Sequence, residues 1–170
     1  MEERVIEVIP GNWKKGIFKS ESWAIIVTNE RLIFAKWTQD LFNKEAQRRK
    51  EESKESGSGK LKQFFSQMSA SLTYFDKYYD MQPDEVSKEH PENFALRSED
   101  ITTAKLKRGV YREKSAAIIN VRIQAAGSSN VEDLSLPHEL TLITNSNKIV
   151  FQFNKNFVKA KEALNTVLRV

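Results

Sequence analysis

Apolar and polar positions divide this chain into strand-like flanks around a helix-like middle. Val5, Ile6, Val8 and Ile9 form a short apolar run that Pro10-Gly11, a turn signal, is expected to stop. Ser22 to Thr28 is rich in β-branched and aromatic residues (Trp23, Ile25, Ile26, Val27, Thr28), and Leu32 to Trp37 repeats the texture. Only Asn29, Glu30 and Arg31 separate these two runs. Asparagine tolerates positive φ, so the spacing predicts a hairpin.

After Thr38 the pattern changes. Gln39 to Glu55 is dense in helix formers with almost no apolar face. It reads as a solvated helix held by pairs three and four residues apart, Lys44 and Arg48 against Glu45 and Glu52. Ser56-Gly57-Ser58-Gly59 breaks it as a short linker. Lys60 to Met81 then has the strongest helical period in the chain. Leu61, Phe64, Phe65, Met68, Leu72, Phe75 and Tyr79 trace a continuous stripe. The stripe is expected to pack on the strands, on the preceding helix or on a second chain. Its few cations, Lys60, Lys62 and Lys77, are balanced by Asp76 and Asp80, which argues against a membrane-surface helix. Gln82-Pro83-Asp84-Glu85 is expected to end it.

Strand patterns return from Asn93. Phe94 to Arg97 is short, Ile101 to Lys107 is longer, and Ser115 to Gln124 alternates with Ala117, Ile119, Val121 and Ile123 on one face. Ala125 to Pro137 reads as a polar loop. Leu140 to Ile143 and Ile149 to Phe153 flank Thr144-Asn145-Ser146-Asn147 as a further hairpin. The last segment is helical, with Asn154 as expected N-cap and Phe157, Ala160, Lys161, Leu164, Val167 and Leu168 on one face.

The stretch SWAIIVTNERLIFAKW at 22–37, after a first strand ending near Pro10-Gly11, resembles the opening of pleckstrin-homology-like (PH-like) domains. It is most similar to their GRAM and bacterial PH-like members, in which an apolar strand runs into Thr-Asn-x-Arg-Leu-Ile-Phe. NFALRSEDITTAKL at 93–106 resembles their fourth strand and the start of the fifth, and LTLITNSNKIVFQF at 140–153 their last hairpin. The likeness covers about 116 residues, 1–38 and 93–170. It implies an α+β fold: a partly open antiparallel β-barrel of two orthogonal sheets, closed by a C-terminal helix. Residues 39–92 would then be a helical hairpin inserted between the third and fourth strands. Eight strand-like runs are one more than the seven such domains usually have. The loop that carries the insertion lies at the open end, where many members bind ligands, so the insertion either lids that end or replaces it with a helical surface.

Composition narrows the function. The 170 residues hold 27 Lys+Arg and 23 Asp+Glu, a net charge of +4. The insertion carries −2 of this and the remainder +6. With no cysteine there is no disulfide scaffold, thiolate metal site or cysteine nucleophile. No stretch approaches the roughly 18 apolar residues of a membrane span. Glu2, Glu3 and Arg4 lack a signal-peptide layout, so a cytoplasmic protein, peripheral to the membrane if lipid-binding, is the expectation.

Two basic clusters are candidate sites. Lys14, Lys15 and Lys19 fall in the first interstrand connection, where phosphoinositide-binding PH domains place cations, and Trp13 beside them suits a lipid interface. The resemblance is incomplete here, because the second strand, Trp23 to Val27, carries no cation. Lys105, Lys107, Arg108, Arg112 and Lys114 around Gly109 make a second field that could meet phosphate, or simply charge an edge strand against aggregation.

Catalysis has little in its favour. His90 and His138 each adjoin a proline in what reads as loop and lie in no metal-ligand spacing; neither a phosphate loop nor a nucleophile elbow is present. Asp84-Glu85 and Glu132-Asp133 read as solvated pairs. The expectation is a non-catalytic adaptor without cofactor or metal, engaging a protein partner or an anionic membrane surface. The alternatives are self-association through Phe64, Phe65, Met68, Leu72, Phe75 and Tyr79, and, more weakly, nucleic-acid binding at 105–114.

Overall fold

The computed structural model describes residues 2–55, 74–111 and 134–168. Seven strands form one curled antiparallel sheet, a half-barrel, in the order β4-β3-β2-β1-β9-β8-β5. They are β1 (Val5–Lys14), β2 (Ser20–Thr28), β3 (Arg31–Lys36), β4 (Phe94–Arg97), β5 (Ile101–Lys107), β8 (His138–Thr144) and β9 (Lys148–Phe153). A separate ribbon pairs β6 (Val110–Tyr111) with β7 (Leu134–Leu136). Helix α1 (Gln39–Glu55) follows β3, a 3-10 turn (Phe75–Tyr79) leads into α2 (Pro83–Lys88), and α3 (Phe157–Leu164) closes the chain.

Strand alternation sorts apolar residues onto two faces. Ile9, Trp23, Ile25, Val27, Leu32, Phe34, Leu140, Leu142, Ile149, Phe151 and Phe153 point inward and pack on Ala160, Ala163, Leu164 and Leu168 from the α3 end of the chain. Phe34 and Phe94 stack across β3 and β4 at 4.7 Å, an interstrand pair that holds the short edge strand.

The outer face of β1–β4 is also apolar. Val8, Ala24, Ile26, Ile33 and Ala35 are covered by Tyr74, Phe75, Tyr78 and Val86, with Leu41 and Phe42 of α1 packed against them. This explains why β2 is buried continuously from Trp23 to Thr28, where a strand with one wet face would alternate.

Several expectations need correcting. The seven strands are hydrogen-bonded edge to edge in one curled sheet, with β6–β7 as a second, two-stranded one. β1 runs through Pro10-Gly11 to Lys14, pairing Pro10 with Ala24 and Gly11 with Trp23. The β9 ladder begins only at Gly11↔Phe153, so the proline precedes the stretch where β1 has partners on both sides. Gln82-Pro83-Asp84-Glu85 follows the end of the preceding helical turn at Tyr79, as expected, and also starts a new helix: Pro83 takes the first helical position and Glu85 bonds back to the Gln82 N–H. The C-terminal helix is capped by Asn156, whose side chain accepts from the Lys159 N–H, and not by Asn154. Lys161 is exposed and Ala163 takes its place on the buried face. The strand expected at 115–124 and residues 60–73 of the helix expected at 60–81 lie outside the described residues, and the described remainder of that helix is the 3-10 turn Phe75–Tyr79.

Candidate functional site

The β1–β2 hairpin projects the first basic cluster. Lys14↔Ser20 is its last strand pair, and the Lys15 N–H donates to the Lys19 carbonyl at 2.9 Å to close the loop. At its tip Ile17 is 90% exposed and Phe18 fully exposed. The next most exposed large apolar side chains among the described residues, Leu136 and Val158, stand at 59% and 54%. A side chain at Gly16 would meet open space. Sequence reasoning passed over this apolar pair. Its signal was two adjacent hydrophobes, in step with neither neighbouring strand, enclosed by Lys14, Lys15 and Lys19.

Below the tip the loop rests on aromatic rings. Trp13 is half-buried, edge-on to Trp23 at 5.2 Å and tilted on Phe94 at 5.6 Å. Lys15 lies over the Trp13 ring at 4.6 Å and pairs with Glu21 at 2.9 Å. Lys36, from β3, pairs with Glu92 and lies 3.8 Å from Glu21. Lys15 and Lys36 are therefore neutralised by Glu21 and Glu92 at the base of the hairpin. Lys14 is exposed and makes no ion pair among the described residues, while Lys19 touches Glu21 at 3.3 Å with its side chain largely in solvent.

These pairs shift the carboxylates. The Lys15 ammonium, with help from Lys19 and the Trp23 indole N–H, holds the Glu21 carboxyl down to about 2 against partial burial. Lys36 lowers Glu92 and is itself raised by it. A carboxylate whose folded value is depressed stabilises the fold above its unfolded value and loses that contribution as it protonates. Thermal unfolding followed by circular dichroism should therefore give a flat midpoint between about pH 7 and 5. The midpoint should fall as pH drops from 4.5 towards about 2, and Glu21→Gln should remove part of that fall.

Only part of the second basic cluster falls among the described residues. Lys105 and Lys107 are exposed on β5, an edge of the described sheet, and the Arg108 guanidinium lies 5.5 Å over the Phe157 ring. Arg112 and Lys114 lie outside the described residues. Nearby, His138 is fully buried at the head of β8 and is not in a loop; its Nδ1 accepts the Gly109 N–H at 2.7 Å between Phe153 and Phe157.

Of the aromatic stripe, Phe64, Phe65, Met68 and Leu72 lie outside the described residues. Phe75 is buried against the outer sheet face. Tyr79 is half-exposed and its hydroxyl bonds Glu7 and Lys155; Lys155 also bonds Glu7 at 2.7 Å and the Val8 carbonyl at 3.0 Å. This knot of β1, the 3-10 turn and the segment before α3 was not visible in the sequence, because its members are up to 148 residues apart.

Among the described residues no helix is long and apolar enough to cross a membrane. Comparison of the chain with protein-family models, curated proteins and solved structures finds no match.

Proposed function

We propose that this chain is a PH-like, non-catalytic binding module that attaches peripherally to an anionic membrane surface through the β1–β2 hairpin. The PH-like reading is supported by the strand order of the curled sheet and by α3 packed into its core. The carrying observation for membrane attachment is the bare Ile17-Phe18 tip beside the exposed ammonium of Lys14, which has no ion pair among the described residues, and the outward one of Lys19. Apolar side chains standing in water next to cations suit the boundary between lipid headgroups and acyl chains.

The protein-partner and self-association readings have less to rest on. Among the described stripe residues, Phe75 is already covered by this chain's own sheet. Tyr79, on the same turn, is tied to Glu7 and Lys155.

Co-sedimentation with vesicles tests the proposal. The chain should pellet with vesicles containing a phosphatidylserine fraction and stay in the supernatant with purely zwitterionic ones. The bound fraction should fall as salt rises above about 100 mM, because the ammonium groups are exposed and screened. Equal pelleting with both vesicle types, or none with either, would overturn it.

A further inference from the structure

We infer, resting on that reading, that the hairpin recognises anionic bilayers as a charged surface with an apolar interior, and not one particular headgroup. Ile17 and Phe18 enter the interface as a wedge, and Lys14 and Lys19 meet whatever phosphates lie nearest.

Three observations lead here. A site that selects one headgroup needs cations converging on an enclosed space with unmet hydrogen-bonding capacity. The two cations best placed to converge, Lys15 and Lys36, are already engaged by Glu21 and Glu92 over the Trp13 and Trp23 rings. The remaining two, Lys14 and Lys19, flank the tip in solvent, which suits contacts in which one phosphate substitutes for another. Finally, the apolar pair is too small for a protein partner. Two side chains offer a few hundred Å² at most, under the roughly 600 Å² that each partner contributes even to a small stable protein interface. A bilayer supplies a continuous apolar slab behind its headgroups and needs no matching pocket.

The test uses the full chain and vesicles matched in surface charge. One set carries a singly charged phospholipid such as phosphatidylglycerol; the other carries a phosphoinositide at the fraction giving equal charge. Apparent affinities should agree within about threefold, and soluble inositol trisphosphate should not displace the protein from either. Ile17→Ser with Phe18→Ser should weaken binding to both sets by about 100-fold, about tenfold for each withdrawn side chain being a conservative share of its transfer free energy. Because both side chains stand in solvent, the double variant should keep the parent melting temperature. Glu21→Gln should tighten binding to both sets alike, by about fivefold, as Lys15 and Lys19 are released.

A tenfold preference for the phosphoinositide set, or displacement by the soluble headgroup, would overturn this inference and leave membrane attachment standing. So would undiminished binding of the double variant. Failure to bind any anionic vesicle would overturn the attachment reading itself, and this inference with it.

Discussion

Gly11→Ala is expected to destabilise the protein by about 3 kcal/mol, the upper part of the usual range for forcing atoms into a packed interior. Gly11 sits where β1 meets β9, opposite Phe153. A Cβ there would come within 2.2 Å of the Gln152 carbonyl oxygen and 2.6 Å of the Phe151 ring. The first is backbone held in the ladder and the second a buried core side chain, so neither yields cheaply. This seam is the join between the half of the sheet made by β1–β4 and the half made by β5, β8 and β9, and the whole inner core depends on it. Chemical denaturation should give the loss directly, and the melting temperature should drop by roughly 6–12 °C for a domain of this size. Gly16→Ala, where no atom lies within 4 Å of the new methyl group, should change nothing measurable. Equal effects at the two glycines would contradict the β1–β9 register.

Tyr78→Ala is expected to cost about 4 kcal/mol, in the range for deleting a buried aromatic ring. Tyr78 is fully buried on the outer face of the sheet, edge-on to Tyr74 at 6.1 Å, and its hydroxyl donates to the Glu89 carboxylate at 2.7 Å. Burial, with the Glu89 charge beside it, pushes the phenol above its ordinary value, so it remains a donor at neutral pH. Glu89 also holds Lys77, whose ammonium lies 4.1 Å over the Tyr74 ring. Tyr78→Phe should therefore cost only about 1.5 kcal/mol, because the carboxylate keeps its lysine. If Tyr78→Ala cost less than about 1 kcal/mol, residues 74–88 would not be sealing the outer face, since a buried ring of this kind has no cheaper route out.

Local chemistry explains which parts of this fold could be read in advance. The strands at 20–28, 31–36, 101–107, 138–144 and 148–153 carry their own alternation or β-branched runs. Thr28-Asn29-Glu30-Arg31 is a turn whose Thr28 hydroxyl accepts the Glu30 and Arg31 N–H groups. Thr144 does the same for Ser146 and Asn147. Helix α1 occupies the predicted 39–55. What escaped depends on partners distant in sequence. Pro10-Gly11 looks like a turn until β2 and β9 are in place to hold it extended. The Gln82-Pro83-Asp84-Glu85 signal was read only as a stop, but it is also a start: the helical turn ends at Tyr79, and the new helix from Pro83 lands Val86 on the outer sheet face. At the site, the lysines were visible but their neutralisation was not. Lys15 has Glu21 six residues away, while Glu92 reaches Lys36 only because β3 is paired beside β4.

The most direct test of the hairpin as a membrane contact uses the absence of native cysteine. Gly16→Cys places a single thiol in open space at the tip, one residue from Ile17 and two from Phe18, where an environment-sensitive fluorophore can be attached. Adding phosphatidylserine-containing vesicles should shift its emission to the blue, and bromine-bearing acyl chains should quench it, with neither change on zwitterionic vesicles. A label that keeps its aqueous emission while the protein sediments with the anionic vesicles would contradict the account.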